Sequence, residues 1–322
     1  MGVKLTPLLT TDVVKLSTLT GKKIVVDGCN LLFRYISKIR KDGEILYNDK
    51  GDPVSHVIGV FYFCVNLIER RIRPIFVFDG YPPNEKRPKS PEKIQQLVKM
   101  WQIYKKQDAH QKNHRIMFHD TLFLYDKIIS DLQNLVRFMG FPVVRGLSEG
   151  EAQGVRLIQD RKAYSLISED QDCLLFGCPR PLRKFNFQDE ICYTFDLAAH
   201  LGKWGITQRQ LIDLAILIGT DYNEGITGIG PKKALQLLQE YKQLENIPDL
   251  EFPFDIDRIR HLFLAPATIA AQPLFRAPNT KYLTYYLSQK GWNPRRIEQG
   301  IGRLRSAFKG MNYKQADLMA YV

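Results

Sequence analysis

The sequence lacks the features that mark disulfide-bonded, zinc-binding and membrane-spanning proteins. It has only five cysteines, an odd number without a C-x-x-C pair, which argues against a disulfide framework or a zinc site and favours a reducing compartment. No apolar run approaches the ~20 residues that span a bilayer, and the N-terminus has no signal-peptide core. Internal repeats and low-complexity tracts are also missing. We therefore expect an intracellular protein with no membrane association.

Acidic residues are in the minority, because the chain carries 34 Asp+Glu against 46 Lys+Arg, a net charge of +12. Such a balance favours an anionic partner, of which nucleic acid is the commonest. With 44% hydrophobic residues in 322 positions, the chain can bury the core of one large domain or of two closely joined ones.

Short apolar runs that stop at acidic residues predict an α/β fold. The stretches KKIVVDG and RPIFVFDG stop at Asp27 and Asp79, each followed by Gly, and are typical of buried parallel strands. The periodic stretch Ser55–Glu69 between them predicts a crossover helix, and FPVVR and AYSLIS predict two more strands. From Thr207 onward the pattern is mostly helical. Sheets of this kind carry their chemistry at the carboxyl ends of the strands.

Seven carboxylates occupy similar positions, at or just after apolar runs. One such residue alone is often only a helix cap or a turn former, but crowded carboxylates repel one another and need a compensating cation. A lysine could serve, yet the neighbouring residues are Gly, Gln, Leu and Ser, so a hard divalent ion such as Mg²⁺ fits better. Seven carboxylates are more than one ion needs. They suit a pair of ions roughly 4 Å apart, an arrangement that cleaves phosphodiesters. They are Asp27, Asp79, Glu149, Glu151, Asp170, Asp172 and Asp221.

Two basic segments add possible contacts to phosphate. Residues 85–116 hold nine Lys/Arg against three acids, and Ser90 followed by Pro91 is a good helix start, so we expect an exposed helical insertion. The alternative is an ordinary solvated surface helix. The turn GITGIGPKKAL allows close backbone approach to an anion and resembles a helix-hairpin-helix that grips a duplex; the alternative is a plain Gly-rich connection. Its candidate DNA-binding residues are Gly228, Gly230, Lys232 and Lys233.

With these motifs in order, the chain resembles the flap endonuclease branch of the XPG family of structure-specific 5′ nucleases. The resemblance covers nearly the whole chain and rests on MGV, GKKIVVDGCNLLFRYISKIR, DGEILYNDKGDPVSHVIGVFY, RPIFVFDGYPP, SEGEAQ, SEDQDCLLFG and LIGTDYNEGITGIGPKKAL. Family members cut 5′ flaps in Okazaki fragment processing and DNA repair, with accompanying 5′–3′ exonuclease activity.

The resemblance implies an α/β, PIN-like core whose mixed, mainly parallel sheet has helices on both faces. It also implies a helical arch and a C-terminal helical region containing the helix-hairpin-helix. We divide the chain accordingly into an N-terminal nuclease region (1–84), a basic arch (85–116), an internal nuclease region (117–206), a helix-hairpin-helix and C-terminal helical region (207–310) and a tail (311–322).

The same resemblance implies roles for individual residues. The seven acids would form a site for two Mg²⁺, which Mn²⁺ can replace, with Asp170 and Asp172 catalytic, and K⁺ would bind at the helix-hairpin-helix turn. Lys86 and Lys93 would contact the scissile phosphate, although the family usually has Arg at the second position, so a point charge replaces a bidentate fork. Phe33 would stack on a substrate base where the family usually has Tyr.

The last residues, KQADLMAYV, resemble a box that binds the sliding clamp, PCNA, through Gln315, Leu318, Tyr321 and Val322. Tyr-Val replaces the more usual pair of aromatics. The segment is not followed by a long basic tail, a pattern that favours the archaeal cytoplasm over the eukaryotic nucleus. We also expect the protein to be a monomer.

Three other functions are compatible with parts of the pattern. A sister-branch 5′–3′ exonuclease or junction resolvase would share the acids, but the clamp box favours a flap endonuclease. A non-catalytic DNA-junction binder would be expected to have lost acids. A structural Ca²⁺ protein would not explain the basic segment 85–116.

Removing Gln315–Val322 is expected to leave intrinsic flap cutting unchanged, because these residues lie far in sequence from every proposed metal ligand. It should abolish stimulation by the sliding clamp of the same organism, since a few apolar anchors carry the affinity of such motifs. Leu318→Ala combined with Tyr321→Ala should do the same without truncation. Calorimetry that finds the truncated chain bound to its clamp as tightly as the full chain would contradict this assignment.

Overall fold

A computed structural model describes residues 3–36, Asn48, 54–81 and 127–309. Seven strands form one sheet in the order β1-β7-β6-β5-β2-β3-β4. The strands are β1 Asp12–Lys15, β2 Lys23–Asp27, β3 Arg73–Phe78, β4 Val143–Arg145, β5 Ser165–Ile167, β6 Leu182–Asn186 and β7 Ile191–Thr194. The sheet is mixed: β2 pairs parallel with β5 and β5 with β6, whereas β7 is antiparallel to both β6 and β1.

Helices account for most of the remaining described residues. They are α1 Gly28–Ile36, α2 Ser55–Glu69, α3 (residues 127–138), α4 Gly150–Gln159, α5 Asp172–Leu175, α6 Leu197–Trp204, α7 Gln208–Ile218, α8 Pro231–Tyr241, α9 Ile256–Leu264, α10 Thr280–Gln289 and α11 Pro294–Phe308. Short 3-10 helices cover Leu16–Leu19 and Leu244–Asn246. Within these described segments, every helix is too short or too polar to cross a membrane.

The chain divides into two compact units, each assembled from separate ranges. The first comprises Met1–Asp27, Val77–Pro88 and Val144–Gln272, and the second Gly28–Phe76, Lys89–Val143 and Pro273–Val322. The five consecutive regions expected from the sequence stay a prediction.

In the first unit, the sheet strands β2 and β5 are buried and α4 packs against both of them. A capping box at Thr207 and Gln210 fixes the start of α7, which packs against α8 and α9. Asp213 on α7 balances the positive charge of Arg260 on α9, because the Arg260 Nε donates to Asp213 Oδ1 at 2.6 Å. This ion pair fixes α9 to α7, while α8, which follows the Gly-rich turn, packs on α7 directly.

In the second unit, α2 packs against α1 and α11. Trp292 lies edge-on to Phe61 at 5.2 Å between ring centroids and stacks on Tyr62 at 5.7 Å. Such aromatic pairs stabilise a core by about 1 kcal/mol beyond the area they bury. Arg303 on α11 donates to Glu69 at the end of α2, with an Nη2–Oε2 distance of 2.7 Å. These contacts fix the C-terminal helix onto α2.

The predicted α/β class and the mixed, mainly parallel sheet are confirmed. The helix Ser55–Glu69 has the predicted bounds, and strands lie within KKIVVDG, RPIFVFDG, FPVVR and AYSLIS. The antiparallel edge formed by β6, β7 and β1 was not predicted, because all three strands are short and β1 and β6 mix apolar and charged residues. The helical run before Asp221 ends at Ile218, three positions earlier than the apolar pattern indicates. The predicted arch and tail lie outside the described residues.

His56 on α2 is buried, and neither of its ring nitrogens has a hydrogen-bond partner among the described residues. Burial, and secondly the charge of Lys290, lower its pKa from 6.5 to about 3. The unfolded chain therefore takes up a proton at His56 near pH 6.5 that the folded chain takes up only near pH 3. The contribution of neutral His56 to stability is present above pH 6.5 and is lost as the pH falls between these values.

We expect His56→Leu to weaken the pH dependence of the free energy of unfolding between about pH 6.5 and pH 4 by up to about 1.4 kcal/mol per pH unit, the value for one proton. Denaturant unfolding of both chains at several pH values measures it. His261→Leu, at an exposed histidine of α9, is the matched control. Equal slopes for the His56→Leu chain and the unmodified chain would contradict the assignment.

Candidate metal centre

The carboxyl ends of two parallel strands bring the first acids together. Asp27 is the last residue of β2, and Asp170 follows β5 by three positions, with Val26 opposite Ile167 in the parallel register. Ser168 links the two strand ends: its hydroxyl donates to Asp27 Oδ2 at 3.3 Å and accepts from the Asp170 backbone N–H at 3.1 Å. The strand pairing thus determines the separation of these two acids.

The start of α4 places two glutamates beside Asp79. Glu149 immediately precedes the helix and Glu151 lies in its first turn, where the helix dipole favours negative charge. Between them, the Gly150 N–H donates to Asp79 Oδ1 at 2.8 Å. A Cβ at position 150 would lie 3.0 Å from that oxygen, so a larger residue would crowd the bond. Ligand oxygens of Asp79, Glu149 and Glu151 lie within 4.8 Å of one another.

Glu151 interacts with several of the other carboxylates. Burial raises the pKa of Glu151 well above its ordinary value, and the neighbouring charges of Asp27, Asp170 and Asp79 raise it further. Asp27 also shares a hydrogen bond with the Glu151 side chain. Strand ends and helix start therefore contribute to a single cluster of carboxylates.

Asp172 joins the cluster through α5, which begins at this residue. Its backbone N–H donates to Asp170 Oδ1 at 3.2 Å, and its own Oδ1 accepts from the Val3 N–H at 2.6 Å. Beside it, the Gln171 side chain accepts from the Leu5 N–H at 2.7 Å. The beginning of the chain is thereby hydrogen-bonded to the loop that carries two of the acids.

The loop after α7 carries Asp221 and completes the set. Tyr222 is buried, and its hydroxyl donates to Glu149 Oε1 at 3.1 Å. Burial raises the pKa of Tyr222, as do the charges of Glu149, Asp172 and Asp221. All seven predicted acids belong to the first unit. Hydrogen bonds, charge interactions or close approach connect six of them, and the seventh, Asp221, acts on Tyr222, which in turn donates to Glu149.

Four residues of this site, Val3, Gly150, Ser168 and Tyr222, were given no role from the sequence. All four lie within motifs quoted for the family resemblance, MGV, SEGEAQ, SEDQDCLLFG and LIGTDYNEGITGIGPKKAL, so the motifs were the signal that could have found them. The role of Val3 was the hardest to predict, because its contribution is a backbone N–H that meets Asp172 from 169 positions away.

The predicted DNA contacts lie in different parts of the fold. Gly228 is exposed in the turn between α7 and α8 with a left-handed backbone (φ 79°), and Gly230 precedes α8, where Lys232 and Lys233 are exposed. The free N–H groups of a helix start favour anions. Phe33 lies half-buried on α1 in the second unit. Lys86, Lys93 and the tail residues Gln315, Leu318, Tyr321 and Val322 lie outside the described residues.

The donor set fits a hard divalent cation. The cluster offers carboxylate oxygens, which Mg²⁺ and Mn²⁺ prefer over nitrogen or sulfur ligands. Burial and, after it, repulsion from Asp27, Asp170 and Asp79 raise the pKa of Glu151, and a cation would relieve that repulsion.

Comparisons with known proteins agree with this geometry. The XPG N-terminal domain model matches residues 1–100 and the XPG I-region model residues 140–221. Flap endonuclease 1 of Staphylothermus marinus is 36% identical over 352 residues, covering 100% of this chain and 99% of its own. The solved flap endonuclease-1 from Methanococcus jannaschii has a TM-score of 0.78 at 28% identity, covering 95% of this chain and 98% of that one. The catalytic core of Rad2 in complex with DNA substrate matches with a TM-score of 0.70 at 21% identity over 93% of this chain and 97% of its own, which shows a shared fold alone.

Replacing Asp170 by Asn removes one like charge facing Glu151. In EDTA we expect the melting temperature to rise by about 2 °C, equivalent to about 1 kcal/mol in a chain of this size. The further rise that Mg²⁺ causes in the unmodified chain should largely disappear, because an amide is a poor ligand for this ion. Asp249→Asn is the matched control, since Asp249 is exposed and its left-handed backbone (φ 55°) suits Asn. A lower melting temperature in EDTA would contradict the repulsion inferred here.

Proposed function

The chain belongs to the XPG family of nucleases, with full-length similarity to flap endonuclease 1, and on this premise we propose that it cuts 5′ flaps at single-strand/duplex junctions of DNA by two-metal hydrolysis. It is a structure-specific nuclease, a hydrolase of phosphodiester bonds. This activity fits a role in DNA replication and repair, including Okazaki fragment processing. The same site would also supply 5′–3′ exonuclease activity.

The observation that carries the proposal is the carboxylate cluster at the strand ends. Oxygens of Asp79, Glu149 and Glu151 approach within 4.8 Å of one another. Burial and, after it, the charges of Asp27 and Asp170 raise the pKa of Glu151. A buried group of like charges lowers stability unless a cation or a function compensates it. The cluster therefore supports a metal-dependent reaction rather than a structural role.

We assign the holding of two Mg²⁺ to Asp27, Asp79, Glu149, Glu151, Asp170, Asp172 and Asp221, with Mn²⁺ as a substitute. When bound, such a pair of ions lowers the pKa of a bound water and neutralises charge on the leaving oxygen. Ser168 and Gly150 orient Asp27 and Asp79 by hydrogen bonds, and Val3 orients Asp172. These groups hold the carboxylates in place so that little reorganisation is needed when substrate binds.

Phosphate contacts are assigned to basic and glycine-rich segments. The exposed turn at Gly228 and Gly230, with Lys232 and Lys233, would hold the duplex backbone without reading bases, and K⁺ would bind at the turn. Lys86 and Lys93 would stabilise charge on the scissile phosphate, and Phe33 would stack on a substrate base.

The partners follow from the same family membership. We propose a monomer that acts on DNA with 5′ flaps and binds the sliding clamp PCNA through Gln315, Leu318, Tyr321 and Val322. The flap endonucleases compared above come from archaea, which supports an archaeal cytoplasm as its location.

Single-turnover cleavage with Mg²⁺ on a 5′ flap, a nicked duplex and a four-way junction tests the proposal. The flap should be cut fastest, close to the junction. Asp172→Asn should slow cutting by more than about 100-fold, because even the outer partners of metal ligands contribute about 10–100-fold. DNA affinity should persist, since the basic surface provides most of it.

Other outcomes of the cleavage assay would favour a different function or a different set of metal ligands. Faster cutting of the four-way junction or the nicked duplex would favour the resolvase or exonuclease branch. Near-normal cutting by Asp172→Asn, with Asp249→Asn as control, would remove Asp172 from the metal assignment. Binding of all three DNAs without cutting any would indicate a non-catalytic junction binder.

A further inference from the structure

Two hydroxyl groups, those of Ser168 and Tyr222, donate to carboxylates of the candidate metal centre. The Tyr222 hydroxyl donates to Glu149 Oε1 at 3.1 Å across a separation of 73 positions. The side chain is buried at 9% exposure, so the hydroxyl is largely shielded from water that could exchange for this partner. A carboxylate in such surroundings keeps a defined orientation only when a donor holds it.

The ring of Tyr222 is held by packing. Phe263 on α9 meets it edge-on at 5.3 Å between centroids, and Phe263 in turn packs on Phe176 at 5.1 Å. Phe176 directly follows α5, the helix that begins with Asp172. The ring that carries the hydroxyl is therefore restrained by α9 directly, and by the residue after α5 through Phe263.

The backbone of Tyr222 is held as firmly as its ring. Its N–H donates to Thr220 Oγ1 at 3.0 Å, and the Thr220 hydroxyl donates to Asn223 Oδ1 at 2.8 Å. The Asn223 amide donates to the Ile216 carbonyl at 2.7 Å, which attaches the loop to the end of α7. Because Asp221 lies inside this loop, the same hydrogen bonds restrain Asp221 and the hydroxyl of Tyr222 together.

We propose that Tyr222 is a positioning residue of the metal centre, whose hydroxyl holds the Glu149 carboxylate in the orientation that binds a divalent cation. A neutral donor is suited to this task, because it fixes an oxygen without a positive charge that would compete with the ion. The inference rests on the proposed function of the carboxylate cluster and adds a residue outside the set of acids. Tyr222 acts through Glu149 and takes no direct part in bond breaking.

Mn²⁺ binding to the full chain without DNA, followed by electron paramagnetic resonance of the free ion, tests this directly. Tyr222→Phe keeps the ring and removes the hydroxyl. We expect the dissociation constant for Mn²⁺ to rise by about 10-fold, the low end of the effect of removing a partner of a metal ligand. In flap cleavage the half-saturating Mg²⁺ concentration should rise similarly, whereas the rate at saturating Mg²⁺ should stay within about 3-fold.

A matched control separates this role from general loss of a buried hydrogen bond. Tyr286→Phe removes a hydroxyl that donates to the Asp131 carbonyl at 2.9 Å in the second unit. It should lower the melting temperature in EDTA about as much as Tyr222→Phe does and leave Mn²⁺ binding unchanged. Unchanged Mn²⁺ binding in Tyr222→Phe would overturn the proposal.

A double-mutant comparison shows whether Tyr222 acts through Glu149. In a Glu149→Gln background, adding Tyr222→Phe should change Mn²⁺ affinity by less than about 2-fold, because the carboxylate to be positioned is gone. An undiminished effect in that background would overturn the proposal even if the single variant binds weakly. If the unmodified chain binds Mn²⁺ but cuts none of the DNAs, the nuclease proposal fails and the inference about Glu149 still stands on the binding data.

Discussion

Repulsion among crowded carboxylates is the constraint on which the arrangement of the first unit depends. Burial and the charges of Asp27, Asp170 and Asp79 raise the pKa of Glu151, so folding brings together groups that would separate in the unfolded chain. The packing of α4 on β2 and β5 must offset that cost in free energy. A bound cation removes much of it, which links metal binding to folding stability.

The hydrogen bonds described for the cluster come from neutral donors. The backbone N–H groups of Val3 and Gly150 serve Asp172 and Asp79, while the hydroxyls of Ser168 and Tyr222 serve Asp27 and Glu149. These donors belong to the chain start, a helix start and two separate loops. They fix the direction of the oxygens while leaving the negative charge in place for a cation, which a lysine or an arginine would not do.

In this chain of net charge +12, acidic and basic residues therefore have different functions. In the proposed function the acids hold metal at the strand ends, and the exposed lysines of α8 follow a turn suited to phosphate. In a nuclease this separation is necessary, because the basic surface holds a polyanion over most of its length and only the scissile phosphate needs to approach the acids. The excess of basic residues and the paired acids therefore both serve the binding and cleavage of a polyanion.

The sequence by itself determined which acids stand at the ends of strands and helices in the first unit. Asp27 and Asp79 end apolar runs typical of buried strands, and Ser55–Glu69 has the periodicity of a helix, so local patterns were sufficient for these elements. Only the tertiary structure decided how the carboxylates are oriented. The bond from Tyr222 to Glu149 and that from Val3 to Asp172 join positions 73 and 169 apart, and β1 finds its antiparallel partner in β7, far along the chain. Such pairings depend on the path of the whole chain, because an N–H or a hydroxyl is available in almost every residue and only the fold selects which one meets a given oxygen.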